Sequence, residues 1–192
     1  MKTFSIQHAQ YTPAEVEAIT GVAVDLQRNW RRRGFLPTSK DGKHARFGAD
    51  DIAYLMALKA FSEATPGVAI SEIYELASLA VLPITGFIAK SYAIEMQEPR
   101  IASLSSSGDP LAMRYIVKAG AHHLRVAKLG ALDEAAEEDQ FVSMTRVVFD
   151  CLMAASIIVS RVPRPVLTLL TEHAIDAPAA APGTTAKKET RR

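Results

Sequence analysis

A single cysteine, Cys151, stands in a chain of 192 residues, so no disulfide framework and no Cys-x-x-Cys metal site can form within one copy. That usage suits a reducing compartment. Apolar runs of membrane-spanning length are also lacking. Leu76 to Ala89 and Cys151 to Ser160 are short, and Pro83 interrupts the first. The opening MKTFSIQHAQYTP carries no signal-peptide core. The expectation is a cytoplasmic, nucleoid-associated protein with no membrane partner. Gly-rich phosphate loops are missing, as are Walker and Rossmann patterns, and no nucleophile stands in a recognisable setting. His122-His123 on a strand would point to opposite faces and cannot chelate together. No catalytic residue, metal or cofactor is assigned, and the chain is not read as an enzyme.

Net charge is only +1, which hides a strong asymmetry. Between Arg28 and Arg46 stand seven Lys or Arg (Arg28, Arg31, Arg32, Arg33, Lys40, Lys43, Arg46) against one acid, Asp41. Asp133, Glu134, Glu137, Glu138 and Asp139 balance them far downstream. Concentrated positive charge of this kind attracts phosphate backbones.

Local signals place that charge on a small fold. Thr12-Pro13-Ala14-Glu15 reads as a capped helix start, with Pro at the first helical position and Glu15 completing a capping box. Val16 and Ile19, with Ala18 beside them, would form its buried stripe. Gly21 in Thr20-Gly21-Val22 supplies a tight turn. A second helix then runs from about Ala23 to Arg33, stopped by Gly34 with Pro37 beyond. Phe35-Leu36-Pro37 starts a wing strand, Asp41-Gly42 is a hairpin turn, and Arg46-Phe47 returns as the second strand. Ala49-Asp50-Asp51 opens a third helix (Ile52, Leu55, Met56, Leu58, Ala60), ended by Pro66-Gly67. Ser71-Glu72 opens a fourth, which Pro83 terminates. Phe87 to Met96 is a further short helix. Met113 to Lys118 and His123 to Leu129 read as two strands, and Thr145 to Phe149 as a strand followed by a helix.

On a helical wheel of the second helix, Val22, Leu26 and Trp30 fall on the inward side. Val24, Gln27, Arg28 and Arg31 fall opposite, with Asp25 and Arg32 at the margins. Gln and Arg pair bidentately with adenine and guanine in the major groove, and the remaining arginines can neutralise phosphates. The order Thr20-Gly21-Val22, an Arg28- and Trp30-bearing helix, Arg33-Gly34-Phe35-Leu36-Pro37, Arg46-Phe47, Asp51-Ile52 and Pro66-Gly67-Val68-Ala69-Ile70-Ser71-Glu72-Ile73 resembles the MerR family over about residues 11 to 80.

The resemblance implies a winged helix-turn-helix on double-stranded DNA. Arg28 would be the recognition-helix contact and Trp30 a packing aromatic. Arg46 would lie along the backbone, and Lys40, Lys43 and His44 would be wing contacts to phosphate. With Thr12, Val24, Gln27, Arg31 and Arg32 these make up the candidate DNA-binding set. Arg31 stands where the family has an acid, and Asn29 where it has its first aromatic. Base preference therefore does not carry over. The family's long coiled-coil helix is not expected here, because of Pro83 and Pro99, and one cysteine does not suit its metal sensors.

The fold class expected is mainly α with small β: an N-terminal winged helix-turn-helix plus a C-terminal α+β or all-α domain. Expected divisions are 1–82 for DNA binding, 83–110 for a helical connector and linker, 111–176 for dimerisation or regulation, and 177–192 for a disordered tail. The function expected is a sequence-specific transcriptional regulator acting as a homodimer. The alternatives are an architectural protein of excisionase type, or a regulator whose C-terminal half senses a small-molecule or protein effector.

Overall fold

The structure is a computed structural model and describes residues 3–36, 45–95, 110–119, 122–129 and 146–172. The wing tip at 37–44, the Ser-rich linker, the acidic cluster and the C-terminal tail lie outside the described residues. The described chain is mainly helical, with two small sheets.

Strand β1 (Thr3–His8) leads into helix α1 (Pro13–Thr20). Thr12 caps α1 as its sequence demands: its Oγ1 accepts from the Glu15 amide at 3.3 Å, and Glu15 Oε2 accepts from the Thr12 amide at 2.7 Å. Gly21 then takes φ 73°, a left-handed turn that closes the helix with an amide bond to Glu17 O. Helix α2 (Val24–Arg32) follows, and the chain leaves it through Gly34 at φ 80°. The inward stripe of α1 is Val16 and Ile19 with Thr20, whereas Ala18 is exposed.

Helix α3 (Ala49–Ala64) buries Ile52, Leu55, Leu58 and Phe61. Asp51 stabilises its start by accepting from the Gly48 amide at 2.9 Å. Helix α4 (Ile70–Glu95) is longer than its sequence suggests, because Pro83 lies inside it. An interior proline costs a helix about 3 kcal/mol. Here Ala80, Ile84, Phe87 and Ile88 are all buried on either side of it. Each large apolar side chain contributes about 1.5–3 kcal/mol on full burial, so packing outweighs the local cost. The segment Ile70–Ala93 is long and apolar enough to cross a membrane by length and composition alone; an 18-residue stretch of it has mean hydropathy 1.4 and is 56% buried inside the protein. The expectation that this stretch is too short to span is thereby corrected. Pro83 does not end the fourth helix as expected, and α4 packs its apolar face on α3 and the C-terminal helix.

A one-turn 3-10 helix (Pro110–Met113) precedes strands β2 (Tyr115–Ala119) and β3 (His122–Val126), an antiparallel pair close to the strands read from sequence. Strand β4 (Arg146–Asp150) pairs with the other edge of β2 and runs straight into helix α5 (Cys151–Arg161), again as read. Asp150 caps α5, accepting from the Leu152 and Met153 amides, and Arg114 grips the same carboxylate at 2.7 Å. Burial pushes the Asp150 carboxyl up, but its bonds to Arg114 and to the helix amides outweigh this and hold it low. Strand β5 (Leu167–Glu172) closes the fold against β1, Thr3 opposite Glu172 and His8 opposite Leu167.

One buried cluster joins Val16, Ile19, Trp30 and Phe47 of the N-terminal part to Ile116, Ala154, Ile158 and Val166. The expected boundary at 82/83 falls inside α4. Cys151 is fully buried, and burial pushes its thiol up to about 12.

Candidate nucleic-acid interface

Helices α1 and α2 meet at the Gly21 turn and are bound together by an amide. Gln27 is 1% exposed, and its Nε2 donates to Val22 O at 2.8 Å and to Pro13 O at 3.0 Å. This corrects the reading of Gln27 as a base contact. The wheel is turned by one position: Gln27 points inward with Trp30, and Leu26, read as buried, is 39% exposed. The carbonyls at the start of α1 and before α2 supply polar partners inside the head, which a wheel drawn from apolar residues does not show.

The outer surface retains the cations. Arg28 and Arg32 are exposed, and Val24 and Arg31 are half-buried. Arg28 Nη1 donates to Asp25 Oδ1 at 2.9 Å, and Arg31 lays its guanidinium 5.1 Å from the centre of the Phe47 ring. Phe47 does not simply return a wing hairpin. It exchanges backbone hydrogen bonds with Tyr11 at 2.9 and 3.0 Å, which sets Arg46 at the start of α1. Phe35 and Leu36 form a bend rather than a strand. Thr12, Pro13, Val24, Gln27, Arg28, Arg31, Ala45 and Arg46 line one groove of about 520 Å³. Six of the ten residues singled out in the sequence therefore line this groove, the buried Gln27 among them, and Arg32 lines the adjoining concavity. Lys40, Lys43 and His44 lie outside the described residues.

Residues 11–79 match the sequence model of the MerR HTH family regulatory protein. The N-terminal part is MerR-like. A MerR-type helix-turn-helix is a DNA-binding element of transcriptional regulators, and the matched stretch contains both α1 and α2. No curated protein matches the chain.

The C-terminal segment grips the MerR-like head in a way no local sequence signal shows. Arg164 bonds Glu15 through both terminal nitrogens, reaches Gln10 O, and rests its guanidinium 4.6 Å from the centre of the Tyr11 ring. Tyr11 Oη donates to Arg164 O at 2.9 Å, and Arg161 Nη1 donates to Ile19 O at 3.1 Å. The bond to Arg164, helped by the Thr12 amide, draws the Glu15 carboxyl down to about 2. Burial raises the Tyr11 hydroxyl to about 12. Glu15 thus serves the cap of α1 and the C-terminal contact together. No cluster of three or more His, Cys, Asp or Glu side chains able to hold a metal occurs among the described residues.

Proposed function

We propose that this protein is a sequence-specific, double-stranded DNA-binding transcriptional regulator that acts as a homodimer in the cytoplasm. In this reading α2 enters the major groove, with Arg28 reading a base and Val24 against the base edges. Thr12, Arg31, Arg32 and Arg46 follow the flanking phosphates, together with Lys40, Lys43 and His44. The observation that carries it is the groove of Arg28, Arg31 and Arg46 against the start of α1. Three arginines line one groove there beside α2, an arrangement suited to a phosphate backbone next to a reading helix.

A single helix of nine residues contacts too few base pairs for high specificity, and a two-fold site read by two copies supplies the remainder. The half beyond residue 110 supplies the dimer contact in this reading. Leu129, Val148 and Met153 leave large apolar surface exposed there. An effector, small molecule or protein, would bind in that same half.

Selection of duplexes from a random library with the full chain tests the reading, with enrichment of an inverted repeat as the expected result. Arg28→Ala then costs about 1–3 kcal/mol on the selected duplex and relaxes one base position. Arg46→Ala weakens selected and scrambled duplexes alike and lowers the salt slope by about one. Equal losses on both duplexes for Arg28→Ala count against direct readout, and a library that yields no sequence rejects the regulator reading.

A further inference from the structure

Asp25 is the sole acid in α2, and it stands in the first turn, beside the surface that should be most positive. With Arg28, Arg31 and Arg32 it lines a shallow concavity of about 640 Å³. Its carboxylate is 92% exposed and its partner Arg28 68% exposed. An exposed i,i+3 pair of this kind contributes little to folding, because water screens it. A carboxylate among phosphate-seeking arginines also lowers affinity for any DNA. In the first turn of α2 a carboxylate also suits the helix dipole, but that role does not require the ion pair with Arg28.

Its geometry fits discrimination. Asp25 Oδ1 takes the Nη1 of Arg28 at 2.9 Å. A guanidinium carries five donors in a rigid fork, so engagement of Nη1 leaves the Nε and Nη2 donors available to a ligand. Their edge is one of the two through which a guanidinium can make the bidentate contact to O6 and N7 of guanine. The same chain uses it elsewhere: Arg114 presents Nε and Nη2 to the two oxygens of Asp150 at 3.2 and 2.7 Å. A buttressed Arg28 loses less side-chain freedom on meeting a base, and it is drawn away from neighbouring phosphates. In a major groove cleared of water the pair also strengthens, since the local dielectric falls.

We propose that Asp25 is a specificity-determining positioning residue. It orients Arg28 for guanine and, by its own charge, disfavours DNA that offers no guanine at that position. The inference rests on the DNA-reading role of α2 proposed above, and its test separates the two.

The test compares the full chain with Asp25→Asn, Asp25→Ala and Arg28→Ala on the duplex selected from a random library and on the same duplex scrambled, at one fixed salt concentration. The alanine variant is needed because asparagine can itself read adenine. Both Asp25 variants are expected to bind the scrambled duplex about 3–10 times more tightly, while the selected duplex gains less or loses. The ratio of the two affinities falls roughly fivefold or more, and a repeated selection loses guanine at one position only. Thermal midpoints stay within a few degrees of the parent, as expected for an exposed pair.

If both duplexes tighten equally and the selected sequence is unchanged, Asp25 is only a charge on the surface and the proposal falls. Should Arg28→Ala erase discrimination while the Asp25 variants keep it, the reading of α2 stands and the buttress does not. If the parent chain selects no sequence at all, the regulator reading fails and this inference fails with it.

Discussion

Replacing Gln27 by glutamate is expected to destabilise the protein by about 3–5 kcal/mol at neutral pH, the usual cost of a buried charge without a partner. For a chain of this size the thermal midpoint falls by roughly 6–20 °C. Gln27 is 1% exposed, and its Nε2 donates to two carbonyl oxygens, Pro13 O and Val22 O. Its Oε1 is buried and has no hydrogen-bond partner. A carboxylate there sets oxygen against both carbonyls and finds no donor to compensate. Burial raises the pKa of such a group in the folded chain above its unfolded value of about 4.3. The folded state then binds more protons than the unfolded state between those two values. The variant therefore loses stability as pH rises through that window, and its deficit against the parent narrows in acid. Gln27→Leu serves as the control: it removes the two donated bonds but also the orphaned acceptor, so its loss is smaller, about 1–2 kcal/mol, and flat with pH. Circular-dichroism melts between pH 4.5 and 8 distinguish the two. Gln27→Leu should also keep the parent's DNA preference. A shift in preference without loss of stability would place Gln27 in the groove after all.

Gln27 also shows where the sequence stops being informative. The cap on Thr12, the turn at Gly21, the stop at Gly34, the β2–β3 pair and the β4–α5 step all depend on contacts within a few residues, and each was legible. The rotation of α2 was not. Over nine residues its one strong inward anchor is Trp30, and positions three and four before it are Gln27 and Leu26. Hydrophobicity favours Leu26. The structure favours Gln27, because carbonyls at Pro13 and Val22 await donors, and those acceptors exist only once α1 has docked. Pro83 misleads for a related reason: its penalty is local, whereas the burial that offsets it comes from α3 and α5. Pairing of β1 with β5 and the grip of Arg164 on Glu15 join residues about 150 or more positions apart. Neither carries a turn or a repeat that would announce it. Arg164 was therefore overlooked, although it bonds the same Glu15 that completes the cap on Thr12.

The same long-range contacts lead to the second large effect, which is expected in the C-terminal half of the chain. Ile158, on α5, is fully buried, and Ile158→Ala should cost about 2–5 kcal/mol through lost burial and the cavity left behind. If head and C-terminal half unfold together, that cost lowers the stability of α1 and α2 as much as that of α5. The contacts favour this outcome: α5 packs on α1, α3 and α4, Arg161 bonds Ile19 O, and the Ala9 amide bonds Val166 O at 2.9 Å. Trp30 is the chain's single tryptophan and lies in α2 at 6% exposure, so its fluorescence reports on the head alone. The expected result is that Ile158→Ala lowers the Trp30 transition and the circular-dichroism transition by the same amount, roughly 5–20 °C. Met153→Ala, on the same helix but 59% exposed, should shift neither by more than a degree or two. A Trp30 midpoint that stays in place while circular dichroism splits into two steps would mean that the head folds on its own. In that case the grip of Arg161 and Arg164 would be a contact between two independently stable units. A single shared transition would instead mean that any binding event in the C-terminal half acts on the stability of α2 directly.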